Sequence, residues 1–205
     1  MVEIVNIERH FREALRLHQL WLKSIGKTGV QLSLDSADLS GIDLEEVNLS
    51  QAVLPGVKLD RARLSRCDFY SANLASASFA DADLSDAILT KANLDYCQFT
   101  SANLRGAKLF RATLVETDLR GANLSGADLR HTYLEQTQLT DANLRDAQLD
   151  DALFSKVHLS GANLRGVTGI SSLRVKEIYL NVEGEERILS SAEAQDWIAK
   201  ASQLA

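Results

Sequence analysis

The sequence has little of what usually announces a chemistry. Its 205 residues include two cysteines, four histidines and one proline. No stretch approaches the roughly 20 apolar residues that a membrane-spanning helix needs, and no charged-then-apolar leader opens the chain. The default expectation is a cytoplasmic protein without membrane contact. Charge is mildly acidic, with 22 Lys and Arg against 28 Asp and Glu. Without a basic cluster, direct binding to nucleic-acid phosphates is not expected. There is no glycine-rich loop leading into a helix, no paired-cysteine zinc spacing and no nucleophile elbow. His10, His18, His131 and His158 are scattered along the chain. We expect no enzyme activity, no metal and no cofactor.

What the chain has instead is a repeat of five. Leu or Phe stands at every fifth position from Leu34 to Leu164, 27 in all. Two residues before each sits a small or modest side chain, alanine in 17 of the 27 cases. Calling the Leu/Phe position i, a helix would set successive leucines about 140° apart, so they would share no face. An unbroken strand would send alternate leucines to opposite faces. The pattern closes only if the chain turns a corner once per quintet. Positions i−2 and i then point inward from a short extended segment. Positions i−1, i+1 and i+2 face outward or make the corner, and there the sequence supplies Asp, Asn, Ser, Gly, Arg and Thr. Gly41, Gly106, Gly126 and Gly161 all fall at i+2, where a turn uses glycine's conformational freedom.

Ala37-Asp38-Leu39-Ser40-Gly41, Ala102-Asn103-Leu104-Arg105-Gly106 and Ala122-Asn123-Leu124-Ser125-Gly126 match the motif A(D/N)LXX. Through them the chain resembles the pentapeptide-repeat family over most of its length. The resemblance implies an all-β solenoid, a right-handed quadrilateral parallel β-helix with four quintets per coil. Stacked at roughly 4.8 Å, the coils would make a rod of about seven turns, on the order of 32 Å long. We expect residues 1–30 to hold an N-terminal helical cap, 31–167 the β-helix, and 168–205 a small C-terminal strand/hairpin and helix segment.

Ile7, Phe11, Ala14, Leu15, His18, Leu22 and Ile25 repeat at threes and fours, with Trp21 beside them, which predicts a helix that Gly26 ends. A stack of coils leaves apolar cross-sections and unpaired edges at both ends, so caps are needed. The leucine register fails at Gly169. Leu173 to Val182 reads as strand, Glu183 to Glu186 as a turn, and Arg187 to Leu189 as the partner strand. Ser190 with Glu193 makes a capping box for a helix whose Ala194, Trp197, Ile198 and Ala201 share a face. That face is either a cap on the last coil or a dimer contact, since C-terminal elements dimerise some members of the family. The chain is accordingly a monomer or a homodimer through the C-terminal helix. Cys67 and Cys97 fall in interior i−2 slots one and a half coils apart, on opposite walls, where a disulfide's short Cα separation is not met.

Every twentieth residue falls on one wall, so the outside can be sorted into walls one to four, starting from the quintets of Leu34, Leu39, Leu44 and Leu49. Wall one exposes Val53, Pro55, Tyr96, Val115, Tyr133 and Leu153, and its neighbour, wall four, exposes Tyr70, Ile88 and Phe110. Walls two and three show almost no large apolar group. We expect Tyr70, Ile88, Phe110, Val115, Tyr133 and Leu153 to belong to a protein-binding face. The alternative is that the chain's own terminal segments fold back over them. Wall three carries a column of Asn103, Asn123, Asn143 and Asn163, whose amides can hydrogen-bond along the stack, beside Arg105, Arg145 and Arg165.

Two functions follow. The first is a non-catalytic protein-protein interaction module, a stiff rod presenting an apolar and aromatic face to a partner of unknown identity. The second comes with the resemblance: quinolone-resistance members present an acidic rod that mimics duplex DNA, inhibiting or protecting a type II topoisomerase. Here the walls carry acids and bases as 4 and 1, 5 and 3, 6 and 5, and 4 and 4. That is sparser than one charge per about 1.7 Å of duplex axis, so the first function is the expectation and DNA mimicry the alternative.

Overall fold

Parallel β-bridges join each quintet to the one twenty residues on, in four separate series. One runs Ser33–Val53–Asn73–Asn93–Thr113–Tyr133 and another Asn48–Asp68–Ile88–Lys108–Asp128–Gln148–Thr168. The other two start at Asp38 and Asp43, and none slips by a residue before Thr168. Side chains twenty apart therefore share a column. The chain is a parallel β-solenoid, seen in a computed structural model that describes residues 2–203, with side chains from residue 10 onward.

Backbone hydrogen bonding explains the motif. In the quintet around Leu54, the Leu54 N–H donates to Asn73 O at 2.7 Å, Val53 to Leu32 O at 2.9 Å and Gly56 to Ala75 O at 2.9 Å. Across the corner, the Ala52 N–H donates to Leu49 O at 3.0 Å. The fifth N–H, that of residue i+1, finds no backbone carbonyl in this scheme. The Asp or Asn at i−1 supplies the acceptor: Ser40 bonds Asp38 at 3.0 Å, Tyr70 bonds Asp68 at 2.8 Å and Asp95 bonds Asn93 at 3.0 Å. The repeat's Asp/Asn is thus a corner-closing Asx turn as well as an outward polar group. Two quintets lacking it borrow a carboxylate from the coil before, Ala80 from Asp60 and Val115 from Asp95, both at 3.0 Å. At Val53 the problem vanishes, because i+1 is Pro55, which has no N–H.

The corner residue at i+2 is left-handed throughout, with φ of 51–62° where it is not glycine and 63–72° where it is. No Val, Ile or Thr occupies any i+2 position, in keeping with the cost of positive φ to β-branched residues.

From Leu39 to Leu164 every position i is buried, and Phe79 stacks on Phe99 with centroids 4.7 Å apart. Where the i−2 slot holds Cys or Thr, its polar atom has a fixed partner. Cys97 Sγ donates to Leu74 O at 3.0 Å, Thr117 Oγ1 to Leu94 O at 2.9 Å and Thr137 Oγ1 to Leu114 O at 2.6 Å. Both cysteines are free and buried, and burial pushes each thiol up to about 12.

At one end lies α1 (Val2–Lys23), with Phe11 and His18 buried and Ala14 and Leu15 half-buried. The side chain of Ile7 lies outside the described residues. Leu32 N–H donates to His18 Nδ1 at 3.1 Å, and the Gln19 amide to Asn48 O at 2.6 Å, which ties α1 to the first coil. Ile25 departs from the expected stripe: it is 90% exposed, because the helix ends at Lys23 and Ile25 itself turns with φ 55°. Among the described residues no helix is long and apolar enough to cross a membrane.

At the other end the repeat does not stop at Leu164. One extra residue enters between Gly169 and Leu173, and the spacing then resumes. After β1 (Tyr133–Glu135), β2 (Leu153–Ser155) and β3 (Val157–His158), β4 (Arg174–Val175) pairs with β2 and β5 (Glu177–Val182) with β3, twenty-one residues on instead of twenty. Leu173 and Ile178 take the i−2 slots, and Val175 and Leu180 the i slots. β5 returns through Glu183 and Gly184, both at positive φ, into antiparallel β6 (Glu185–Ser190). In α2 (Ser191–Gln203), Ala194 and Ile198 are fully buried and Trp197 and Ala201 half-buried. The Glu193 carboxylate accepts the Ser190 N–H at 3.3 Å, and Gly166 N–H donates to Ser202 O at 2.9 Å, fastening α2 to the last full coil.

Candidate partner-binding face

The six expected face residues do not form one apolar patch. Tyr70, Ile88 and Phe110 lie on wall four; Val115, Tyr133 and Leu153 lie on wall one. The corner column Lys91–Arg111–His131 runs between the two groups, and all three of its side chains are exposed. Tyr70 is 37% exposed, while Ile88, Phe110, Val115, Tyr133 and Leu153 are half-buried by their column neighbours. Tyr96, at a wall-one corner, is more exposed than any of them at 53%.

On wall four the aromatic rings are dressed with cations. Lys91 Nζ donates to the Tyr70 hydroxyl at 2.9 Å and stands 5.3 Å from its ring centroid. That bond pulls the Tyr70 hydroxyl below the usual phenol range. Phe110 carries the Arg111 guanidinium at 5.2 Å and that of Arg130 at 5.7 Å, with His131 edge-on at 5.2 Å. These distances are those of cation–π contacts. Arg130 is also gripped by Asp128, through Nε to Oδ1 and Nη2 to Oδ2, both at 2.8 Å, which holds that carboxyl below its ordinary range. The sequence reading missed these cations because it summed each wall. Resolved along the wall, Asp68 comes first, Lys91, Lys108, Arg111 and Arg130 fall in the middle, and Asp150 and Asp151 come late.

On wall one, Tyr133 and Leu153 are stacked neighbours in the β1–β2 ladder, with Arg174 above Leu153. The Tyr133 hydroxyl donates to the Glu135 carboxylate, and that bond raises the phenol. Val115 holds its N–H on Asp95.

Ile88, Tyr133 and Leu153 share one feature: each occupies i−1, the slot where Asp or Asn closes the corner. None of the three side chains can accept the i+1 N–H. Wall three shows the opposite choice. Asn123 donates to Asn103 at 3.3 Å, Asn143 to Asn123 at 3.2 Å and Asn163 to Asn143 at 3.2 Å, while Ser125, Arg145 and Arg165 close corners on the same amides. Among the described residues no cluster of His, Cys, Asp and Glu could hold a metal ion.

A solenoid of A(D/N)LXX quintets with a side-wall face and this corner chemistry is a pentapeptide-repeat protein, and the chain belongs to that family. Residues 87–164 match its pentapeptide repeat region, and residues 33–70 and 67–106 its eight-copy pentapeptide repeats. Among solved structures, full-length QnrB1, a plasmid-mediated fluoroquinolone resistance protein, is similar at 16% identity and a TM-score of 0.62, over 70% of this chain and 82% of that one. A pentapeptide repeat protein of the Arabidopsis thaliana thylakoid lumen matches at 29% identity over 48% of this chain and 66% of its own, with a TM-score of 0.37. HetL of the cyanobacterium Nostoc sp. strain PCC 7120, involved in heterocyst differentiation regulation, matches at 25% identity over 77% and 90%, with a TM-score of 0.24. Only the QnrB1 likeness bears on the fold, and at that identity it bears on nothing else. No curated protein matches the sequence.

Proposed function

We propose that the chain is a non-catalytic protein-interaction module. In this reading residues 31–167 form a right-handed, four-walled prism, capped by the helix in 1–30 and by the hairpin and helix in 168–205. Its walls four and one meet a protein partner through Tyr70, Ile88, Phe110, Val115, Tyr133 and Leu153. The observation that carries the reading is the use of Ile88 and Tyr133 in corner-closing slots. Asn or Asp there would gain a hydrogen bond worth about 0.5–1.5 kcal/mol, so an apolar residue works against stability and calls for another reason. The termini engage the ends of the stack instead of these walls, which speaks for an accessible face. The inward turn of Ala194 and Ile198 favours α2 as a cap over α2 as a dimer contact.

The test pairs stability with binding. Ile88→Asn is expected to stabilise the protein by about 0.5–1 kcal/mol while weakening capture of the native partner. Tyr70→Ser and Phe110→Ser are expected to abolish capture with stability changed by less than about 1 kcal/mol. A large fall in denaturation midpoint for the serine variants would make these residues internal packing. The runner-up, a DNA mimic acting on a type II topoisomerase, draws on the rod's acidic balance. The mid-wall cations run against it, and an unaltered gyrase supercoiling rate at micromolar protein would dispose of it.

A further inference from the structure

Resting on that interaction-module reading, we infer that the middle of wall four, built from Lys91, Lys108, Phe110, Arg111 and Arg130, docks an acidic polypeptide segment of the partner. Among the described residues, Lys91, Lys108 and Arg111 make no ion pair; Arg105 and Arg165 on wall three make none either, but Lys91 and Arg111 lie against aromatic rings, Tyr70 and Phe110. The unpaired cations sit within one coil spacing of one another beside the Phe110 ring, about 5 Å along the axis. Arg111 is already laid over that ring at 5.2 Å, so its planar fork is ordered before any ligand arrives, while Arg130, held by Asp128, lies against the same ring at 5.7 Å and adds positive charge behind it. A guanidinium prepared in this way meets carboxylates bidentately. The flanks select against other anions. Asp68 lies before the patch, Asp128 within it, and Asp150 and Asp151 beyond it, so a continuous phosphate backbone running along the wall would meet repulsion at both ends. A short carboxylate-rich segment, with an apolar residue to cover Phe110 and Ile88, fits between them.

The experiment measures binding of a fluorescent twelve-residue Asp/Glu-rich peptide containing one Phe to the purified full chain. Its Asn/Gln counterpart and a short DNA duplex run alongside. The Lys91→Glu/Arg111→Glu pair is the test variant, since Glu46 and Glu116 hold the same left-handed corner and the backbone accepts Glu there. Lys58→Glu/Arg61→Glu on wall two is the control. The inference expects saturable binding of the acidic peptide, weakened at least tenfold by the wall-four reversal and by raised salt, and unchanged by the wall-two control. Equal binding of the neutral peptide, tighter binding of the duplex, an equal effect of the control, or no saturable binding would each overturn it. Partner capture lost in Tyr70→Ser but intact in Lys91→Glu/Arg111→Glu would overturn the acidic segment alone and leave the interaction module standing. Capture intact in both would remove the two together.

Discussion

Asn123 shows how much a single outward side chain does in this fold. Its Oδ1 accepts Ser125 N–H at 3.2 Å and the Asn143 amide at 3.2 Å, while its own Nδ2 donates to Asn103 at 3.3 Å. Truncation leaves a corner N–H without its acceptor and breaks the amide column in both directions. Asn123→Ala is expected to cost about 1–3 kcal/mol in chemical denaturation. Asn123→Asp keeps the corner acceptor and should cost clearly less; equal losses would mean that the column, not the corner, carries the energy. The same residue-scale logic explains Cys67, Cys97, Thr117 and Thr137. The inner tube takes a donor at i−2 because a Leu carbonyl from the coil before still has a free lone pair facing it.

At the scale of elements, α1 is joined to the solenoid by a titratable contact. His18 is buried, accepts Leu32 N–H on Nδ1 at 3.1 Å and stacks on Trp21 with centroids 5.8 Å apart. Burial pushes its pKa down, and the nearby Ser50 carbonyl offsets this only in part; among the described residues Nε2 has no hydrogen-bond partner. A base with a depressed pKa is bound neutral. Docking of α1 is then fully stable above the unfolded value of about 6.5 and weakens as pH falls toward the lowered folded value, because the released helix takes up the proton. In a Trp197→Phe background, Trp21 emission should report a cap that loosens between pH 6.5 and more acid values. His18→Gln should remove that dependence; an unchanged profile would place the titration elsewhere. The other end is held differently, by buried Ala194 and Ile198 and by backbone bonds.

For the whole molecule, the narrow tube is the governing constraint. Ala82, Ala102 and Ala122 stack in one fully buried column, and density inside proteins leaves no slack for added methylenes. Ala102→Leu is expected to cost about 1–3 kcal/mol or more, with the strain passed to the coils above and below. An unaffected thermal midpoint would show that the interior is looser than the alternation of large and small side chains implies.

Period five, with Leu or Phe at i and small residues at i−2, called for a corner in every quintet and so for a solenoid, while the twenty-residue coil and its columns came with the family resemblance. With four quintets per coil taken from that resemblance, the walls and the six face residues could be placed before any coordinates. Tertiary structure decided what spacing cannot express. It returned the chain to register after the extra residue near Gly169, because Leu173, Val175, Ile178 and Leu180 could still fill the tube. It ended α1 before Ile25, and it turned the Asp/Asn positions into corner acceptors. It also laid Arg130 across Phe110, since that cation and ring meet only once residues twenty apart are stacked.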